Sequence, residues 1–326
     1  MRSAAPPLEP PWNPERHFFF RDTIGSIAAE PLTISGTGAG SSGALRNVNG
    51  VNTWNGALTL AGGTYITSDA GTLTLSETAA ISRSGTGGRT ATFTGNGTIE
   101  LHGEINGDIA VVRGVNGTLL MTGVAKAYTN TTSISANGNM ILNTSLDATS
   151  GVTVNGNLRG NGGSIQTGAA VGVTGTGTLA PGTTTTGQEI GVLSMGALSL
   201  QSLARLAVEI NSASMTNDLV EVTSLNVGSG AVLAVADLGN STIPLGEALL
   251  FIRNGGSLTG SFFTVDGTLI EDKSTTFTVG SNTFQIDYNY SGTQGSGVAL
   301  ISVVPEPTVS ALASLAALAM VFRRRR

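Results

Sequence analysis

Apolar residues in the middle of the chain alternate with polar ones over short runs, and the runs recur about every twenty residues. Gly97, Gly117, Gly138, Gly156, Gly177 and Gly196 are separated by 20, 21, 18, 21 and 19 residues. Apolar side chains stand two and four positions past four of them: Ile99 and Leu101, Leu119 and Met121, Met140 and Leu142, Leu198 and Leu200. Leu158 and Leu179 keep only the first position. A period of two means a strand with one buried face. Four residues before each glycine stand Phe93, Arg113, Ile134, Val152, Val173 and Val192, apolar in five of six. Each unit therefore predicts strand, glycine turn, strand.

Two architectures fit this unit. Asn-Gly at 96–97, 116–117, 137–138 and 155–156 is a strong two-residue hairpin signal and would give an antiparallel meander. Alternatively each unit is one winding of a parallel β-helix, a β-solenoid, with equivalent residues stacked about 4.8 Å apart. Recurrence of one residue type at one place favours stacking, which would put the asparagines in a ladder. Over positions 36–300 it predicts roughly 13 windings and a rod of about 60 Å. From Gln201 the strands lengthen (LARLAVEI, GAVLAVADL, TFTVGSNTFQIDYNY), so residues 201–302 are expected to form a distal β region capping the solenoid of residues 36–200.

Composition supports the all-β fold. Charged residues are 11% of the 326, too few for the wet faces of long helices, while 46 glycines with many Thr, Ser and Asn suit strands and tight turns. Net charge is −5, or −9 once the four terminal arginines are set aside (−5 − 4), which leaves no footprint for a nucleic-acid partner. No cysteine is present, so disulfides and thiolate metal sites are excluded. The Pro-rich start (MRSAAPPLEPPWNPERHFFFRD) lacks the apolar run of a secretory signal; residues 1–35 are expected to be a poorly ordered leader or a misassigned start.

The stretch IAVVRGVNGTLLMTGVAKAYTNTTSISANGNMILNTSL (109–146), with Arg113, Gly117-Thr118-Leu119, Gly123 and Tyr128-Thr129, resembles the autotransporter-associated β-strand repeat. WNGALTLAGGTYITSDAGTLTLS (54–76) is a looser match, and the likeness covers most of residues 54–235. It implies a parallel β-helix displayed on a cell surface and names no ligand. An autotransporter with its own barrel does not fit, because no series of membrane strands precedes the end.

The last 24 residues change character. Pro305-Glu306-Pro307 precedes an uncharged run from Thr308 to Phe322, and Arg323, Arg324, Arg325 and Arg326 close the chain. Proline and an acid suit a helix start, and the arginines would hold the far end in the cytoplasm. A single hydrophobic helix with Leu312, Leu315 and Leu318 is expected. Its 15 residues would span about 22 Å, with snorkelling arginines making up part of the roughly 30 Å core. This three-part arrangement over 303–326 resembles the PEP-CTERM sorting signal. The resemblance implies a transient inner-membrane anchor, cleavage at or near Pro305–Pro307 by an exosortase-type enzyme, and passage to the cell surface or extracellular matrix.

Candidate chemistry is sparse. The imidazoles are His17, in the leader, and His102, on an outward strand position. Glu100, His102 and Glu104 would share a face in an extended segment, but Gly103 interrupts it. Asp108, Asp147, Asp218, Glu221, Asp237, Asp266, Glu271 and Asp272 are scattered, and Asp218 suits a turn-capping role. SGTGAGSSG (35–43) has no helix behind it and reads as a linker, not a phosphate loop. No metal ligands, cofactor or catalytic residues are assigned. The expectation is an exported, non-catalytic structural or adhesive solenoid whose Thr, Asn and Ser ladders contact extracellular polysaccharide or neighbouring chains. The alternative is a carbohydrate-active β-helix enzyme, a lyase or hydrolase, which needs convergent carboxylates.

Overall fold

The computed structural model describes residues 18–304. Apart from one 3-10 turn at Ala39–Ser41, its regular structure is all strand. The strands stack in parallel, so the repeat is a solenoid and not a meander. Thr98–Leu101 lies between Thr72–Leu75 and Thr118–Met121, and Asn139–Leu142 follows, each pair parallel and in register. Eleven such rungs, from Gly25–Ile27 to Thr264–Val265, make one side of the shaft. Their ten steps span about 48 Å, somewhat short of the rod expected from the repeat.

Each winding in the middle of the shaft has three short sides. In one winding these are Ile109–Arg113, Thr118–Met121 and Ala127–Tyr128. Inward residues form continuous rows. Leu73, Ile99, Leu119, Met140, Leu158, Leu179, Leu206 and Leu233 pair rung to rung and are all buried. Full burial of one such side chain contributes about 1.5–3 kcal/mol, and each row supplies one per winding.

The recurrent glycines exist for packing as much as for turning. Gly138, Gly156 and Gly177 have no positive φ, yet a Cβ at any of them would collide with a carbonyl oxygen of a neighbouring winding or its own turn. The asparagine ladder is not where the Asn-Gly pairs place it. Asn96, Asn116 and Asn137 are exposed at turns and make no hydrogen bond to one another. The stacked asparagines are Asn139 and Asn157, on strands, with Asn157 Nδ2 donating to Asn139 Oδ1 at 2.7 Å.

The column before the glycines is also corrected. Observed pairing runs Phe93, Arg113, Ile134, Val154, Val173, Leu200. Val152 sits two residues off because the strand at Gly151–Val154 runs directly into its turn. Val192 is displaced because Gly196 is no turn: Val192–Leu200 is one strand that serves two sides of the shaft. Its Leu193 pairs with Gly163 and its Leu198 with Val171.

Within the described residues, the leader expectation fails at 18–35. Phe18–Phe20, Gly25–Ile27 and Leu32–Gly36 each pair in parallel with a later strand. The cause is the aromatic triplet: Phe20 is fully buried, and Phe18 meets Trp54 edge-on with centroids 5.0 Å apart. At the other end, parallel pairing continues past Gln201, with Val192–Leu200 on Leu219–Val227 and Arg205–Asn211 on Val232–Asp237. A short antiparallel pair, Arg205–Asn211 with Thr216–Asn217, comes first. The terminal antiparallel region is built on Ala248–Asn254, parallel to Leu219–Val227 on one side and antiparallel to Gly295–Val303 on the other, itself paired with Asn282–Gly292. The expected tail helix from Thr308 to Phe322, the Pro305-Glu306-Pro307 motif before it, the four arginines after it, and His17 lie outside the described residues. Among the described residues no helix is long and apolar enough to cross a membrane.

Candidate functional site

The outward face of the shaft follows directly from the register. On one side the outward row reads Tyr65, Thr92, Val112, Ser133, Thr153, Gly172, Ser199, Asn226 and Thr259. Hydrogen bonds run along its far end, from Asn226 Nδ2 to Ser199 Oγ and from Thr259 Oγ1 to Asn226 Oδ1, both 3.2 Å. A second side carries Thr72, Thr98, Thr118, Asn139, Asn157 and Thr178 in one row. The first run contains no charged side chain; the second continues into Arg205, and the row beside it carries Glu100 and Arg159. These are the Thr, Ser and Asn ladders expected from the repeat, spaced by one winding.

The sequence-selected acidic residues are spread along the molecule. Glu100 Oε2 lies 3.5 Å from His102 Nε2 and accepts from Thr74 Oγ1 at 3.1 Å. Glu104 falls past Gly103 on the next side of the winding and acts electrostatically on Lys126 instead. Glu221 binds Ser194 Oγ (2.7 Å) and Arg253. Asp108 accepts from Asn130 Nδ2 at 2.9 Å, and Asp272 from the Tyr288 N–H at 2.9 Å. Among the described residues no three His, Asp or Glu side chains converge as metal ligands would.

Asp218 does what a turn acid is expected to do, and more. Fully buried, it accepts the Gly191 N–H on Oδ1 and the Glu209 N–H on Oδ2, both at 2.8 Å. Burial and the adjacent Glu209 carboxyl push its pKa well above the usual range, against the pull of the two N–H groups. Glu209 Oε2 is buried with no hydrogen-bond partner. A proton shared between the two carboxyls satisfies that orphan. The folded state therefore holds a proton that the unfolded chain releases near pH 4, and stability falls as pH rises from there towards the raised value. Glu209→Gln supplies an N–H donor in place of the proton. Its melting temperature should exceed the parent's at pH 8 and lose that advantage at pH 4. Parallel melting curves across this range would rule out the shared proton.

Two buried cations were not legible as such. Arg113 stands in the core column between Phe93 and Ile134, yet its guanidinium reaches the turn, donating to Phe93 O (2.8 Å) and Gly95 O (3.2 Å). Burial lowers its pKa to about 10. Lys126 is fully buried at a corner, with Nζ donating to the carbonyls of Val124 (2.7 Å), Thr122 (2.8 Å) and His102 (3.3 Å). Burial pulls it down to about 8, with Glu104 opposing. Both cations neutralise turn carbonyls that the tight corners turn inward. The available signal was scarcity: the chain has only two lysines, Lys126 and Lys273.

Tyr128, part of the repeat-like stretch, is buried and shares a 2.6 Å hydrogen bond with Thr132, which reaches Thr149 at 3.3 Å. It braces the corner between windings. No protein-family model matches the chain, and no curated protein matches it.

Proposed function

We propose that the protein is an exported structural or adhesive element of the cell surface or extracellular matrix, its shaft serving as a binding flank and spacer. The observation that carries this is the in-register stacking, which converts a low-complexity sequence into long rows made mostly of hydroxyl and amide side chains with few charges among them. Such rows offer donors and acceptors at a fixed repeat without the desolvation cost of burying charge, which suits contact with polysaccharide or with neighbouring chains. A stiff shaft stabilised by nearest-neighbour stacking also tolerates the composition that the chain has.

Sorting rests on the tail. Pro305-Glu306-Pro307 would be the recognition element for an exosortase-type enzyme. Thr308 to Phe322, with Leu312, Leu315 and Leu318, would be a transient inner-membrane helix, and Arg323 to Arg326 its cytoplasmic stop. Cell fractionation with separate N- and C-terminal tags tests this. The parent should lose its C-terminal tag and appear outside the cell. Glu306→Gln, or deletion of the four arginines, should leave full-length chain in the membrane fraction or misplace it. Processing and release equal to the parent's would refute the sorting assignment.

A further inference from the structure

At the end of the shaft the antiparallel region encloses a groove of about 560 Å3, between the loop at Gly246–Ala248 and the hairpin of strands Asn282–Gly292 and Gly295–Val303. The register of that hairpin shifts between Asp287 and Tyr290. A bulge of this kind re-aims side chains, and bulges concentrate beside sites. Here it sets Tyr290 on the groove wall. One glycine clears space for the ring: a Cβ on Gly292 would collide with the phenol, while Gly297, opposite Tyr290 across the hairpin, makes room for the Ile252 carbonyl instead. The ring is thereby held as a half-buried plate and not as a swinging surface side chain.

The other lining groups are polar and largely unused. The Glu247 carboxylate, Gln285 amide, Tyr290 hydroxyl and Thr293 hydroxyl line the groove and make no hydrogen bond to another described residue. By contrast the floor is fixed. Asp287 accepts the Asn289 N–H at 2.9 Å and pairs with Lys273 Nζ at 3.0 Å. Lys273 takes a left-handed backbone (φ 52) to stand there, a conformation rare outside glycine and asparagine. Free donors and acceptors facing a rigid aromatic plate match the alternating hydroxyl rim and C–H face of a pyranose ring. Gly295–Val303 offers a peptide strand no edge, being hydrogen-bonded on both sides, and the outer edge of Asn282–Gly292 is taken at Ile286 O and the Tyr288 N–H by Lys273 N and the Asp272 carboxylate. Glu247 and Asp287 against Lys273 leave one net negative charge, which disfavours uronates and sulfated sugars.

We propose that this groove is a binding site for a neutral oligosaccharide of hexose or N-acetylhexosamine units, with Tyr290 as the stacking platform. The proposal deepens the matrix assignment above and rests on it only for the source of the glycan. Calorimetric titration of the full chain with chitohexaose and with hexagalacturonate tests it. Saturable binding of chitohexaose at about 0.1–1 mM is expected, with hexagalacturonate at least about tenfold weaker. Tyr290→Ala should weaken chitohexaose binding about tenfold or more, Tyr290→Phe by about twofold, and Gln285→Ala by about threefold. Glu247→Gln should narrow the gap between the two sugars. Circular dichroism melts would show that each variant remains folded, and Tyr290→Phe serves if Tyr290→Ala does not. Thr86→Glu and Ser202→Glu, at exposed turns outside both outward rows and the groove, should leave this binding unchanged. If Thr153→Glu and Ser199→Glu, on the outward row of the shaft, abolish it while Tyr290→Ala keeps the parent's affinity, the groove is refuted while the flank assignment stands. If chitohexaose fails to bind the parent, the groove is refuted and the sorting experiment still decides the matrix assignment.

Discussion

Gly156→Ala should be among the most damaging single-methyl changes this chain can carry. A Cβ at Gly156 would collide with the carbonyl oxygens of Gly138 and Ser135, both backbone atoms of the turn one winding away. Neither can rotate aside, because Gly138 N donates to Ser135 O at 2.9 Å and Gly138 O accepts from the Asn157 N–H at 2.8 Å. The inter-winding ladder must open or the column shift, at about 3 kcal/mol or more. For a chain of this size that lowers the melting temperature by about 4–5 °C or more. Gly172→Ala is the matched control. Gly172 lies on a strand with ordinary φ and nothing within 4 Å of an added Cβ, so alanine should be neutral or stabilise by up to about 1 kcal/mol. Equal effects from the two substitutions would show that chain flexibility, and not close stacking, selects glycine in this column.

The second large effect is expected at Lys126. Truncation to alanine removes the ammonium that bridges three corner carbonyls and leaves a void in a fully buried position. Lost donors and cavity together should destabilise by about 3–5 kcal/mol. Lys126→Met keeps most of the volume and loses only the donors, so about 2 kcal/mol is expected. The denaturant midpoints should therefore rank parent, then methionine, then alanine. Methionine equal to the parent would mean that the carbonyls find other partners and that the charge adds nothing. Because windings interact mainly with their neighbours, the loss should be concentrated between about residues 100 and 150. Hydrogen exchange resolved along the chain would locate it.

What could be read from the sequence was whatever repeats with period two. The inward row through Ile99, Leu119 and Met140 follows from alternation alone, since one residue of slip would expose every member. The solenoid followed from the same glycine returning in each unit. Geometry that changes between windings was not legible. Gly196 has the spacing of a turn glycine but lies inside a long strand, because the corner it would have formed is smoothed away at Val192–Leu200. Phe18–Phe20 was hidden by its proline-rich surroundings, and of its three rings only Phe20 goes into the core while Phe18 and Phe19 stay exposed. Arg113 and Lys126 failed for a different reason. A long basic side chain in a core column reads as an interruption until its head group is seen to reach a turn. Asp218 was read correctly as a backbone acceptor, while its partner Glu209 is nine residues earlier on a separate strand, beyond any local pattern. The groove at Tyr290 depends on a register shift in a single hairpin, which alternation cannot report.

Because every rung of the shaft is joined to the next by the same parallel step, its reach is quantised. Adding or deleting one unit of about twenty residues between Asn155 and Gly177 would carry the terminal antiparallel region outward or inward by about 4.8 Å, leaving the inner rows continuous. Duplication of a short DNA segment thus becomes a ruler with fixed graduations, and chains differing in unit number would carry the same tip at different distances from the start of the shaft.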